Sequence, residues 1–185
     1  MFQPGQIIRY IEMCNEEGVN LQKGMNFRLH GGPSIILMSL RKGAPYADRV
    51  EDEGRTLIYE GHDIPRRAGS PYPKTVDQPL HNPSGSLTEN GKFHKAAKEH
   101  KDHDKDADIV KVYEKIRSGI WVYNGMFKLI DAWQESVGGR KVFKFRLELT
   151  DREYKSGRRK DLPKDIPHNR IIPSPVKAEV YKRDR

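Results

Sequence analysis

Residues 34–62 read SIILMSLRKGAPYADRVEDEGRTLIYEGH, and the reading of this stretch decides the fold. Two apolar runs, 34–40 and 56–59, have the length and β-branched content of short strands. Between them lies a polar loop with Gly43, Pro45, Tyr46, Asp48 and a run of acids, closed by Gly54. The strand ends therefore deliver two tyrosines, Tyr46 and Tyr59, with Asp48 beside the first. Two aromatic plates and a carboxylate suit a flat, hydrogen-bonding ligand such as a nucleobase. The same residues also fit packing at the end of a β-barrel, with the acids solvating a loop.

The surrounding composition favours a polyanion as partner. The chain has 185 residues, with 34 Lys+Arg against 26 Asp+Glu and a formal charge of +8. Arg41, Lys42, Arg66 and Arg67 flank the central stretch, and more cations fill the last third. No apolar run approaches the roughly 20 residues of a membrane-spanning helix. The start, MFQPGQIIRY, lacks a basic region followed by an apolar core, so a secretion signal is not read there. With Cys14 as the single cysteine, an internal disulfide and a Cys-based zinc site are excluded. These features fit a cytoplasmic setting.

Toward the N-terminus, residues 7–17 carry a loose helical stripe through Ile7, Ile11 and Cys14, with Gly18 as C-cap. Beyond Tyr59 the segment 61–86 is rich in Pro, Gly and Ser. With Arg66, Arg67 and Lys74 it reads as a stiff, projecting basic loop. Residues 86–106 read as a helix capped by Ser86 or Thr88, with Phe93, Ala96, Ala97 and His100 on one face. His94, His100 and His103 there present either a zinc or nickel site or a solvated polar face.

From residue 109 the period changes to that of strands. The run 142–149 alternates cleanly, Phe143, Phe145, Leu147 and Leu149 opposing Lys144, Arg146 and Glu148. Tyr123-Asn124-Gly125 and Val137-Gly138-Gly139 read as tight hairpin turns. Several short strands with one main helix predict an antiparallel α+β domain, a curved sheet or partly closed barrel. Residues 151–185 are proline-broken and charged, and read as a linker or arm that ends at the opening of a helix.

Four features occur in order: the central stretch, Asp77-Gln78-Pro79-Leu80, Tyr123-Asn124-Gly125 and the strand VFKFRLEL. Together, over residues 25–150, they resemble the SRA or YDG domain, a reader of modified cytosine in DNA. The resemblance implies an α+β fold, an SRA/PUA-like curved antiparallel β-barrel with flanking helices. It also implies a pocket in which two tyrosines sandwich a flipped base while an aspartate reads its edge. By the motif these are Tyr46, Tyr59 and Asp48, with Ser39, Ala44, Gly61 and His62 around them; Ser39, Glu60 and His62 are the candidates to meet a hydroxymethyl group. Arg41, Lys42, Arg66, Arg67 and Lys74 take the DNA backbone and loop contacts.

Two departures stand out. The name-giving Tyr-Asp-Gly is Tyr-Asn-Gly here, and the tyrosine spacing is one residue longer, which keeps Glu51 and Asp52 open as alternatives to Asp48. Val180-Tyr181-Lys182-Arg183-Asp184 resembles the lead-in to an HNH nuclease domain. On this resemblance the chain divides into a helical segment 1–24, a DNA-binding domain 25–150 and an arm 151–185 leading to a nuclease domain. The implied protein is a bacterial modification-dependent restriction endonuclease that binds duplex DNA with 5-methylcytosine or 5-hydroxymethylcytosine. It needs no cofactor or metal in this part, and it pairs as a homodimer through the nuclease. A PUA-like reader of modified RNA is the alternative. A third reading is an enzyme using Asp48, Glu51, Asp52 and Glu53 as a metal or acid/base cluster.

Overall fold

The computed structural model describes residues 1–103, 105–150 and 171–183. The chain starts with β1 (Ile7–Arg9), α1 (Tyr10–Glu17), β2 (Met25–Asn26) and β3 (Ser34–Met38). A short β4 (Arg49–Glu51) and β5 (Thr56–Glu60) follow, then α2 (Glu89–His103). Long strands β6 (Ile109–Arg117), β7 (Ile120–Val137) and β8 (Arg140–Thr150) complete the sheet, and α3 (Ser174–Arg183) follows.

The α+β class holds, with two differences from the expected barrel. The strands pair along an open path, β2-β3-β6-β7-β8-β5-β4, with β1 added on β7, so the sheet does not close on itself. The pairing is not wholly antiparallel either, because β3 runs parallel to β6, Ser34 beside Val110 and Met38 beside Glu114. Both faces of that pair are covered, as parallel strands require. Ile36, Met38, Val110 and Val112 join the core under α2 with Phe93, Ala97, Phe127 and Phe145. Ile35 and Tyr113 face the other way, onto Met13, Cys14, Leu21, Trp121 and Tyr123. Each fully buried large side chain contributes roughly 1.5–3 kcal/mol.

Local signals succeeded where backbone geometry alone decides. Gly138 and Gly139, with φ of 58° and 81°, make the two-residue turn that pairs Val137 with Arg140. Thr88 is the cap of α2, its hydroxyl accepting from the Gly91 amide at 3.1 Å. Gly18 ends α1 at φ 67°. Three local readings are corrected. Ile7 belongs to β1, because Ile7–Arg9 pair with β7, and Ile11 is exposed because α1 buries Met13 and Cys14 instead. Tyr123-Asn124-Gly125 is no turn but the middle of β7; Tyr113 opposes Tyr123 and Val112 opposes Gly125, leaving Asn124 as the extra residue of a bulge. The true turn is Ser118-Gly119, between paired Arg117 and Ile120.

The charged C-terminal part also buries more than its composition suggests. Ile171 enters the core under α2, and its amide bonds Gly54 O at 2.6 Å. On α3, Lys177 is 3% exposed and reaches Glu114 Oε2 and Asn124 Oδ1, each at 2.6 Å. Asn124 Nδ2 donates to the same Glu114 oxygen at 3.1 Å, and the Ser174 hydroxyl bonds the other. The amide of the bulged residue thus bonds both members of this ion pair. Residues 151–170 and 184–185, the rest of the expected arm, lie outside the described residues.

Candidate functional site

The structure gathers Tyr46, Tyr59, Asp48 and His62 on the strands and loops expected to hold them. Beyond Glu60, the backbone of β5 runs on as Gly61-His62-Asp63, and two amide side chains stand in for neighbouring strands. Gln78 donates to Gly61 O at 2.6 Å and accepts from Phe143 N at 2.8 Å. Asn90 accepts from His62 N and donates to His62 O, both at 2.8 Å. A side chain at Gly61 has no room, since its Cβ falls 2.7 Å from both Asn90 Oδ1 and Gln78 Oε1. The backbone at residue 62 is therefore fixed on both edges.

That fixed backbone aims the His62 imidazole at both tyrosines. It stacks on Tyr46 with centroids 4.8 Å apart and planes 9° from parallel. Its Nε2 lies 2.8 Å from the Tyr59 hydroxyl, the two rings tilted by 43° at 6.1 Å. Tyr59 is 1% exposed, whereas Tyr46 and His62 are partly exposed. The Tyr59 hydroxyl also reaches Gly24 O at 3.2 Å. Gly24 leaves the space in which the imidazole lies: a Cβ there falls 2.5 Å from His62 Cε1. Burial pulls the His62 pKa down to about 4, so the ring is neutral at pH 7 and Nε2 can accept the phenol proton.

Tyr46 also carries a cation. Lys74 Nζ lies 4.2 Å from the Tyr46 ring centroid and is held by Pro45 O at 2.5 Å and Asp63 Oδ2 at 2.8 Å. Asp63 also accepts from Arg140 at 2.6 Å and Gln78 at 3.1 Å. Burial alone pushes the Asp63 carboxyl up, but Lys74, Arg140 and Gln78 together hold it below its ordinary value. Lys74, expected on DNA phosphate, is thus engaged within the site.

Asp48 spans the two strand ends. One carboxylate oxygen accepts from Ser39 N at 3.1 Å, the other from Glu60 N at 3.0 Å. Burial raises its pKa to about 6 against the pull of those amides. Glu60 lies next to it, taking Ala47 N at 3.2 Å and the buried Lys144 ammonium at 2.9 Å. Ser39 thus contributes its backbone to the site, and its hydroxyl accepts from Arg41 at 3.2 Å. Ala44 belongs to a turn closed onto Arg41 O at 3.0 Å. Arg41, Lys42, Arg66 and Arg67 are exposed. The last two line a cavity of about 370 Å³ with Ala68, Ser70, Pro71 and Tyr72.

The acidic loop does not converge as a metal or acid/base cluster requires. Glu51 pairs with Arg49 at 2.7 Å, and Asp52 bonds the Thr56 hydroxyl at 2.5 Å and Arg146 at 3.4 Å, while Asp48 turns to Ser39 and Glu60. The helix histidines disperse as well, His94 lying edge-on to Phe143 and His100 bonding Lys105 O at 2.6 Å. Among the described residues no group of three or more His, Cys, Asp or Glu could hold a metal ion. Sequence reasoning missed Gly24, Asp63, Asn90, Arg140 and Lys144. Their partners lie far along the chain, and nothing local marks them.

No protein-family model matches this chain, and no curated protein matches it. Solved structures do. The SRA domain of SUVH5 in complex with fully methylated CG DNA is 24% identical, with a TM-score of 0.55 over 82% of this chain and 90% of that one. The fold is that of SRA domains. The SUVH5 SRA bound to fully hydroxymethylated CG DNA is again 24% identical, with a TM-score of 0.53 over 79% of this chain and 87% of that one. KRYPTONITE in complex with mCHH DNA, an H3 peptide and SAH is 18% identical, with a TM-score of 0.53. There the likeness covers 81% of this chain and 32% of that protein. Among the described residues no helix is long and apolar enough to cross a membrane.

Proposed function

We propose that this chain binds duplex DNA carrying 5-methylcytosine or 5-hydroxymethylcytosine and holds the modified base, flipped from the helix, against Tyr46 and Tyr59. The observation that carries this reading is the convergence of Tyr46, Tyr59 and Asp48 at the end of β5, in a fold whose solved examples include complexes with methylated and hydroxymethylated DNA. Flipping costs a few kcal/mol, and stacking on an aromatic plate returns roughly 1–3 kcal/mol per base. Each Asp48 oxygen holds one backbone amide and keeps a lone pair, enough to accept from cytosine N4. A methyl at C5 adds on the order of 1 kcal/mol of apolar burial, so discrimination against plain cytosine is several-fold. Arg41, Lys42, Arg66 and Arg67 supply phosphate contacts, which makes affinity fall steeply with salt.

The DNA-binding unit on this reading is residues 25–150, working in the cytoplasm as the recognition part of a bacterial modification-dependent restriction endonuclease of the HNH type that acts as a homodimer. Support for the nuclease part is the sequence resemblance at 180–184 alone. Fluorescence polarisation with duplexes differing only at one cytosine C5 tests the reading. The wild-type protein prefers the modified duplex, and Tyr46→Ala loses roughly tenfold or more on it. Equal binding of both duplexes by the wild type, or an unaffected Tyr46→Ala, overturns the reading; a preference for single-stranded RNA redirects it to RNA.

A further inference from the structure

We propose that His62 is the resident occupant of the base slot, its imidazole holding the stacking place on Tyr46 until an incoming base displaces it. This rests on the base-binding reading above and adds a competitor that the protein carries itself. The imidazole stacks on Tyr46 at 4.8 Å, and the Lys74 ammonium lies 4.2 Å from the same ring centroid. A base that stacks on Tyr46 where the imidazole lies has to replace it. Lys74 is tied to Pro45 O and Asp63 by two strong contacts. The imidazole lies on the side where Tyr46 and Tyr59 can share one ligand, because it already touches both.

The way His62 is held separates the ring from the chain that carries it. Its backbone N–H and C=O are locked by Asn90 at 2.8 Å each. Among the described residues its side chain makes one hydrogen bond, to the Tyr59 hydroxyl. Rotation about the side-chain torsions releases the ring without moving β5. His62 is also partly exposed while Tyr59, which its ring contacts, is buried. The ring resembles a small base in function: flat, uncharged, stacked on one tyrosine and hydrogen-bonded to the other. It gives up both contacts on leaving, and the Tyr59 hydroxyl, which keeps its contact with Gly24 O, can then meet the base.

An intramolecular occupant lowers the apparent affinity of the flipped mode by the fraction of protein in which the slot is open. Unflipped, backbone-only binding is not lowered. Weakly held bases therefore default to the unflipped mode, and the measured preference for modified DNA is smaller than the slot's own.

The test is His62→Ala against duplexes with and without a single 5-methylcytosine. The expected result is about tenfold tighter binding of the modified duplex, equivalent to about 1.4 kcal/mol, with a smaller gain on the unmodified one. In the wild-type protein, the His62 ring protons, shifted upfield by Tyr46, move toward unstacked values when modified duplex is added and stay in place with unmodified duplex. That NMR titration requires no variant to fold. Weaker binding by His62→Ala, or ring protons that stay upfield in the modified complex, overturns the inference while a wild-type preference for modified DNA leaves base reading standing. A wild type with no such preference removes both.

Discussion

Glu114 with Lys177 and Tyr46 with His62 are two inward-facing clusters that this protein treats in opposite ways. In the first, Lys177, Glu114, Asn124 and Ser174 come from three elements and bond each other by side chain, with Glu114 1% exposed. Neither Lys177 nor Glu114 can turn away without stranding a buried charge. In the second, the polar side chains Gln78 and Asn90 fix backbone, while the His62 ring is layered on Tyr46 and hydrogen-bonded to Tyr59. The first is a lock and the second a rigid frame around a replaceable insert. Side chains that bond backbone make a scaffold, and what is left over is available to a ligand.

The strongest way to break this contrast is Lys177→Met. It leaves Glu114 buried without its cation, and loss of a buried partner costs about 3–5 kcal/mol. The urea midpoint drops accordingly, and Glu114→Gln in the same chain restores part of the drop. A variant as stable as the wild type shows that α3 is no lock. Next comes Asn90→Ala, which strands the His62 N–H and C=O at a cost of about 1–3 kcal/mol. Its sharper signature is faster amide exchange at residues 61–63 than elsewhere in the sheet. Uniform exchange across β5 and its extension refutes the frame.

The smallest effect is in the pH dependence of stability. His62, pulled down from 6.5 to about 4, binds protons more readily when unfolded, so stability rises with pH from about 4 to 6.5. His94, also lowered by burial, acts in the same direction. Asp48, pushed up from 3.8 to about 6, does the reverse: the folded state holds the proton longer, and stability falls as pH rises from about 4 to 6. The two oppose each other over that window. Asp48→Asn removes the falling part, so its urea midpoint climbs more steeply between pH 4.5 and 6.5 than the wild type's. Parallel slopes show that the buried carboxyl titrates normally. The slope is the readout, since the variant also loses an acceptor for Ser39 or Glu60 and is less stable throughout.

How much of this was legible depends on how far each cause lies from its effect. Gly138-Gly139 was readable because both turn residues need positive φ. Asn124-Gly125 carries a similar local signal, yet its φ of 103° at Gly125 serves a bulge, and only the pairing of β6 with β7 reveals that. That Tyr46, Asp48 and Tyr59 lie together was visible because one hairpin delivers all three. Lys144 looked like a solvent-facing residue by alternation; Glu60, across the sheet on β5, makes it a buried ion pair at 2.9 Å. The open path of the sheet was not readable either, because strand alternation fixes faces and not whether the ends meet.

The parallel seam between β3 and β6 has a consequence for how the chain is made. Ser34 lies beside Val110, so the whole site-bearing loop and α2 must emerge before that seam can zip. Closing so long a loop is penalised before any contact rewards it, which slows folding. During synthesis the segment Ser34-Ile35-Ile36-Leu37-Met38 has only the two residues of β2 to pair with. It is an apolar strand with a bare edge, and nascent chains stalled between residues 39 and 108 are where aggregation and chaperone capture will concentrate.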